Sequence, residues 1–226
     1  MDIDTPFKVS LMEAAGRWPL ETSRLVRLVN DSKCPRFFFR KYSREVYVRA
    51  QFFLEDVAQL ACICPEDGAR QFMLDNFLFE IGAVATPEKG VSILPGAMHI
   101  SWAKRFAYAC GNSDKELEAA LLESVGKRAF QRALIQQRRW LEAIAYLVVG
   151  QEAQLPRLLI PLVGGLKKHG FGSSDLVFFT QHIKADSEHV SGVFEVMETV
   201  ASTQPRRDLA LEYVALGARD YWLAVN

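Results

Sequence analysis

Residues 175–202 read DLVFFTQHIKADSEHVSGVFEVMETVAS. Advancing about 100° per residue from His182 gathers Phe179, Ile183, Val190, Val193, Phe194 and Met197 into one sector, roughly 140° wide when His182 and His189 at its edge are counted. Lys184, Glu188, Ser191, Glu195, Glu198 and Thr199 fall on the opposite side. The period is helical, so the stretch predicts one long amphipathic helix. Three polar residues, His182, Asp186 and His189, sit inside its apolar sector at i, i+4 and i+7. Burying an unpaired Asp and two His costs several kcal/mol unless something satisfies them. A hydrogen-bonded network, with Asp186 holding one of the imidazoles, would do so. A metal ion would also do so, because imidazole and carboxylate together suit non-haem iron, manganese or zinc. Both readings stand on the triad alone.

The segments outward from this helix carry the same period. Helices are expected over 44–63, 66–82, 100–110, 113–124, 127–149, 150–169 and 206–224, with Pro156 and Pro161 bending or dividing the segment at 150–169. Residues 83–99 (AVATPEKGVSILPGAMH) hold two Pro and two Gly and predict the longest loop. No period-2 run with hairpin punctuation stands out. The expectation is a single all-α domain, 1–226, of seven or eight helices.

Composition narrows the class. The chain has 226 residues, 50% of them hydrophobic, with 27 Lys and Arg against 27 Asp and Glu. Such a chain can bury a sizeable core. Zero formal net charge removes the broad electrostatic footprint of a nucleic-acid binder. The acidic start, MDIDTPFKVS, is not a secretory signal, and the longest uncharged apolar runs fall short of a membrane span. A cytoplasmic protein with no membrane contact is expected. Cys62-Ile-Cys64 has the wrong spacing for a zinc knuckle or a redox pair, so the four cysteines read as reduced thiols.

Carboxylates on other apolar faces strengthen the metal reading. Glu80 follows Phe72, Met73, Phe77 and Leu78 at helical spacing, and Glu152 follows the apolar run 146–149. Either alone reads first as a surface acid at a helix end. His99 opens a helix directly after the Pro/Gly loop, whereas His169, in Lys-Lys-His-Gly, reads as ordinary. Glu, His and Asp drawn from several helices form the inventory of a di-iron carboxylate site, although the paired Glu-x-x-His motif of ferritin-like bundles is missing.

Four segments resemble the haem-oxygenase-like, TenA/PQQ-synthase-C superfamily, and within it the haem-oxygenase-like di-iron oxidases and oxygenases. LDNFLFEIG (74–82) is similar to the segment ending in that family's first glutamate ligand, and HISWAKRF (99–106) to its His-led helix start. EAQLP (152–156) resembles the second glutamate segment. His182, Asp186 and His189 match its His-x3-Asp-x2-His signature, the most specific of the four. The resemblance covers roughly 40–205 and implies a haem-oxygenase-like bundle with Glu80, His99, Glu152, His182, Asp186 and His189 as ligands. It also implies two Fe(II) per chain, O2 as co-substrate, an external electron donor and a homodimer. Two departures are visible. The gap between Glu80 and His99 is longer than in the family. The lysine used by para-aminobenzoate-forming members soon after the second glutamate has no counterpart, since residues 153–166 contain none.

The activity so implied is an O2-dependent oxidation of a small biosynthetic metabolite, an amino acid or another carboxylate. N-oxygenation, desaturation, C–C cleavage and decarboxylation all fit. Lys168, Arg49 or Arg128 could hold the carboxylate, and Phe79 and Tyr146 could line the pocket, or each could be ordinary surface or core. Cys110, near His99 in sequence, reads as a nucleophile or as packed core. Two other classes stay open. One is a metal-free, PQQ-synthase-like or thiaminase-like enzyme using His182 and His189 as acid and base. The other is a non-enzymatic helical binding protein with a structural triad.

Overall fold

The computed structural model describes the backbone of residues 5–86 and 90–226, and the side chains there except those of 85, 86, 95 and 185–191. Helices dominate: α1 Pro6–Gly16, α2 Arg24–Asn30, α3 Arg36–Ile63, α4 Asp67–Glu80, α5 His99–Ala109, α6 Asp114–Ser124, α7 Ala129–Gln136, α8 Trp140–Ile144, α9 Leu155–Lys168, α10 Val177–Val200 and α11 Gln204–Val225. The all-α expectation holds, with more helical segments than the seven or eight expected. Two short helices precede α3. The pattern at 127–149 breaks because Arg138 turns to φ 58°, a left-handed conformation that no helix interior accommodates. Pro161 stays inside α9, and its carbonyl accepts a hydrogen bond from Asn30 at 3.2 Å. Pro156 lies at the first turn of α9, where proline costs no hydrogen bond.

The Pro/Gly segment is more ordered than a loop. It forms a hairpin of β1 Ala83–Thr86 and β2 Gly90–Ile93, antiparallel, with Ala83 opposite Ile93 and Val84 opposite Ser92. Gly82 makes the entry possible. Its φ is +69°, and a Cβ there would lie 2.7 Å from the Ala97 carbonyl carbon and 2.8 Å from the Met98 nitrogen. The extra residues between Glu80 and His99 therefore go out along one strand and back along the other. The C-terminus of α4 and the N-terminus of α5 are left in contact.

The apolar residues divide into two packed clusters. One holds Val57, Met73, Val148, Val149, Val193, Phe194 and Met197 among others. The second includes Val46, Ala50, Ala103, Phe106, Leu155 and Phe179. Four of the predicted ligands lie along the seam: Glu80 after Met73, His99 before Ala103, Glu152 between Val149 and Leu155, and His182 between Phe179 and Val193. The helices cross from one core to the other there, and the polar residues sit at the crossing.

Candidate metal centre

Glu80 is the last residue of α4, yet it is only 6% exposed; His99, the first residue of α5, is 1% exposed, and His182 on α10 is 5% exposed. A helix end is usually solvated, but these two ends meet each other and are buried. One carboxylate oxygen and one ring nitrogen from each His converge within 4.8 Å of one another. The rings are held by aromatic neighbours. His99 lies 4.6 Å from the His182 ring, 4.8 Å from Trp102 and 4.5 Å from Phe79, centroid to centroid. Phe178 covers the His182 ring at 4.2 Å.

The hydrogen bonding distinguishes a ligand set from a closed network. The His182 Nδ1 lies 2.7 Å from the Phe178 carbonyl. A carbonyl only accepts, so Nδ1 carries the proton and Nε2 is the lone-pair nitrogen. Fixing the tautomer by a backbone carbonyl is the usual support of a ligating imidazole. The His99 Nδ1 lies 2.8 Å from the Glu80 carboxylate. Even so, among the described residues neither buried His99 ring nitrogen has an aligned hydrogen-bond partner, and Nδ1 meets Glu80 as a close ionic contact alone. Two atoms each about 2.1 Å from a shared ion, at near right angles, would stand about 3 Å apart. The donor types and the orphaned ring nitrogens fit a divalent transition metal.

Glu152 adds a second acid. It follows a π-helical turn, Ala145–Val149, directly after α8. Turns of this kind mark many functional sites. The π turn is packed against α11 at Gly217, where a Cβ would stand 2.1 Å from the Tyr146 carbonyl oxygen. Burial, then the negative charge of Glu80, push the Glu152 carboxyl up to about 8, and Arg49 pulls it the other way. An acid held up by burial and by a neighbouring carboxylate is the kind of group a bound cation relieves. The sign of the pH dependence follows. A carboxyl raised from 4.5 to about 8 on folding keeps its proton in the folded chain after the unfolded chain has lost it. Without metal, stability is expected to fall as pH rises across that interval, by up to ~1 kcal/mol per pH unit. Glu152→Gln should flatten the trend in urea titrations at pH 5, 6.5 and 8.

The side chains of Asp186 and His189 lie outside the described residues; their backbone continues α10. Phe79 does reach the cluster, through His99. Tyr146 does not show the pocket-lining role expected of it: its hydroxyl donates to Asp220 at 3.0 Å and its ring packs on Phe130. Lys168 is exposed and donates to Asn30 at 3.2 Å, so its recorded contact is with α2 rather than the cluster. Arg128 is a correction on both counts, being neither solvated nor at the site. It is buried, paired with Asp56 and Glu55, and lies over the Phe52 ring.

Cys110 is partly buried beside Ser43, and burial pushes its thiol up to about 11. It holds its proton at neutral pH and belongs to the packing. Iodoacetamide at pH 8 is expected to modify exposed Cys62 well before Cys110, which peptide mass spectrometry would read directly. Trp102 and Phe178, which pack on the two imidazoles, are not among the expected site residues. Their signals were local: i+3 from His99 and i−4 from His182, the spacings that place side chains on one helix face.

Comparison with known proteins adds three findings. The chain matches, over residues 37–221, the model of a family described as "Iron-containing redox enzyme". The 4-aminobenzoate synthases of Chlamydia trachomatis and Chlamydia muridarum are each 27% identical over 155 residues, 66% of this chain. The match spans 60% and 59% of those relatives' lengths. A TenA homolog from Pseudomonas syringae pv. tomato superposes with a TM-score of 0.78 at 13% identity. That superposition covers 97% of this chain and 91% of the other, and it is a likeness of fold.

Proposed function

We propose, because this chain belongs to the iron-containing redox enzyme family, that it is a non-haem di-iron oxidase or oxygenase using O2 on a small carboxylate-bearing metabolite, such as an amino acid. The observation that carries this reading is the convergence of Glu80, His99 and His182, with both His99 ring nitrogens buried and without an aligned hydrogen bond among the described residues. Glu152, Asp186 and His189 complete the proposed ligand set. Glu152 is supported by its electrostatic contact with Glu80. Asp186 and His189 are supported by their i+4 and i+7 spacing from His182.

Iron held by Glu80, His99 and His182, with Glu152, Asp186 and His189 completing the proposed set, would supply the redox chemistry for O2-dependent oxidation of the substrate. The rest falls to the chain's own side chains. The Phe178 carbonyl keeps the His182 proton on Nδ1 and its lone pair on Nε2. Phe79, Trp102 and Phe178 hold both rings in place and keep water from them. Carboxyl oxygens and imidazole nitrogens together are the donor types that suit a divalent transition metal, whose charge would draw the Glu152 proton off. The relatives' product does not transfer simply. The lysine that the resemblance associates with para-aminobenzoate formation is absent from 153–166, so the substrate is proposed to be a free metabolite. An external reductant and a homodimeric assembly belong to the same proposal.

Oxygen uptake tests it. The protein, loaded anaerobically with Fe(II), is given O2 in an electrode cell with a panel of amino acids and other carboxylic acids. Iron-dependent uptake that rises with one class of acid is the expected result. Uptake that proceeds equally without iron would move the chain to the metal-free reading, and no uptake with any acid would count against oxidase function.

A further inference from the structure

Between Asp31 and Glu45 stand Lys33, Arg36, Arg40, Lys41 and Arg44 with no acid among them, in a chain whose net charge is zero. At about 100° per residue along α3, Arg36, Arg40, Arg44, Phe37 and Lys41 fall within one sector of about 140°. Arg36, Arg40 and Lys41 are exposed and Arg44 is partly buried, and the Phe37 ring among them is 73% exposed. Arg40 pairs with Glu116 of α6 at 2.5 Å, whereas among the described residues Arg36, Lys41 and Arg44 make no ion pair. The other side of the same helix leads inward. Phe38 stacks on Tyr42 at 6.2 Å and Tyr42 on Phe179 at 6.5 Å, centroid to centroid. Phe179 meets Phe178 at 5.4 Å, and Phe178 meets the His182 ring at 4.2 Å. Ring follows ring from partly exposed Phe38 to a proposed metal ligand.

A solvated basic face needs no partner. This one surrounds an exposed phenylalanine, the kind of aromatic anchor that interfaces favour, and it backs onto a file of rings ending at His182. Unpaired cations around an apolar anchor fit an acidic protein surface, which they would steer and orient. Electrons tunnel more readily through packed side chains than across voids. We propose that this face of α3 docks a small acidic one-electron carrier protein of the iron–sulfur class, whose electrons enter along Phe38, Tyr42, Phe179 and Phe178. Each reduced carrier loses one electron and one ferric ion of the centre becomes ferrous. Two encounters restore both ions, with no bond made or broken in the chain. The electron route rests on the di-iron reading above; the docking surface does not.

An acidic plant-type [2Fe–2S] ferredoxin is the probe. Calorimetric titration at low salt compares the full chain as wild type, as the triple variant Arg36→Gln, Lys41→Gln, Arg44→Gln, and as Tyr42→Leu. Reduced ferredoxin is then mixed with the iron-loaded, oxidised protein, and its reoxidation is followed by absorbance. Wild type should bind at least about tenfold more tightly than the triple variant, and salt at about 0.5 M should erase the difference. Tyr42→Leu should bind as wild type does and lose the fast reoxidation, which Tyr42→Phe, keeping the ring, should retain. Equal affinity in wild type and the triple variant would overturn the proposal. So would a face that binds anionic vesicles or duplex DNA through residues 36, 41 and 44 but no ferredoxin. Unchanged reoxidation in Tyr42→Leu would overturn the ring route. If the chain takes up no Fe(II) while ferredoxin affinity still follows the three cations, the di-iron reading fails and the docking surface stands.

Discussion

Glu80→Gln should leave the metal-free fold as stable as wild type or slightly more so, and should remove nearly all of its stabilisation by Fe(II). The substitution keeps the side-chain volume, so packing at the end of α4 is preserved. It also deletes the charge that opposes Glu152, relieving a buried repulsion. With Fe(II) at 100 times its dissociation constant, the native state gains about 2.7 kcal/mol. A ligand loss that weakens binding a hundredfold would cut the gain to about 0.4 kcal/mol. Anaerobic urea unfolding with and without Fe(II) reads both quantities. His99→Ala should behave differently. It removes ring contacts with Phe79, Trp102 and His182 as well as a donor, so it should lose about 2–4 kcal/mol even without metal. If the cluster were only a structural hydrogen-bond network, Fe(II) would stabilise wild type and Glu80→Gln alike.

Arg128→Ala should be the most destabilising single change away from the seam. Arg128 reaches between α3 and the start of α7, donating to the Phe52 carbonyl at 2.9 Å while pairing with Asp56 and Glu55. Asp56 is 2% exposed. Removing its partner strands a buried carboxylate, a loss of about 3–5 kcal/mol, against a total stability on the order of 5–15 kcal/mol. Burial already pushes the Asp56 carboxyl up, and Arg128 is the main opposing influence. In the variant the folded chain would hold the Asp56 proton more tightly than the unfolded chain does. The deficit should therefore shrink as pH falls toward about 4 and be largest at neutral pH. Urea midpoints at pH 4.5 and 7 check the sign. Replacing both partners with apolar residues, as Arg128→Met with Asp56→Leu, should recover much of the loss.

Features set by local spacing were legible in the sequence. The long helix α10 and the polar positions on its apolar side follow from a 3.6-residue period. Glu80 and Glu152 stand out because each follows an apolar helical run, and His99 because it opens a helix after the Pro/Gly segment. What the sequence hid depends on residues far apart along the chain. The hairpin forms because Gly82 can adopt φ +69° against the backbone at Leu94, Ala97 and Met98. No period within 83–93 announces that contact. The π turn before Glu152 depends on α11 approaching Tyr146 so closely that only glycine fits at position 217. Arg49 and Arg128 look alike as isolated cations in one helical stretch and its neighbour. Only the fold shows that one lies exposed over the Tyr221 ring, while the other is buried on Asp56.

Metal content after anaerobic Fe(II) loading and desalting tests the central claim most directly. Wild type should retain about two irons per chain, as a carboxylate-bridged centre in a helical bundle does. Glu80→Gln and His182→Ala should retain far less while remaining folded by circular dichroism. Wild type that retains no iron, or that holds a single zinc instead, with the two variants indistinguishable from it, would contradict the account.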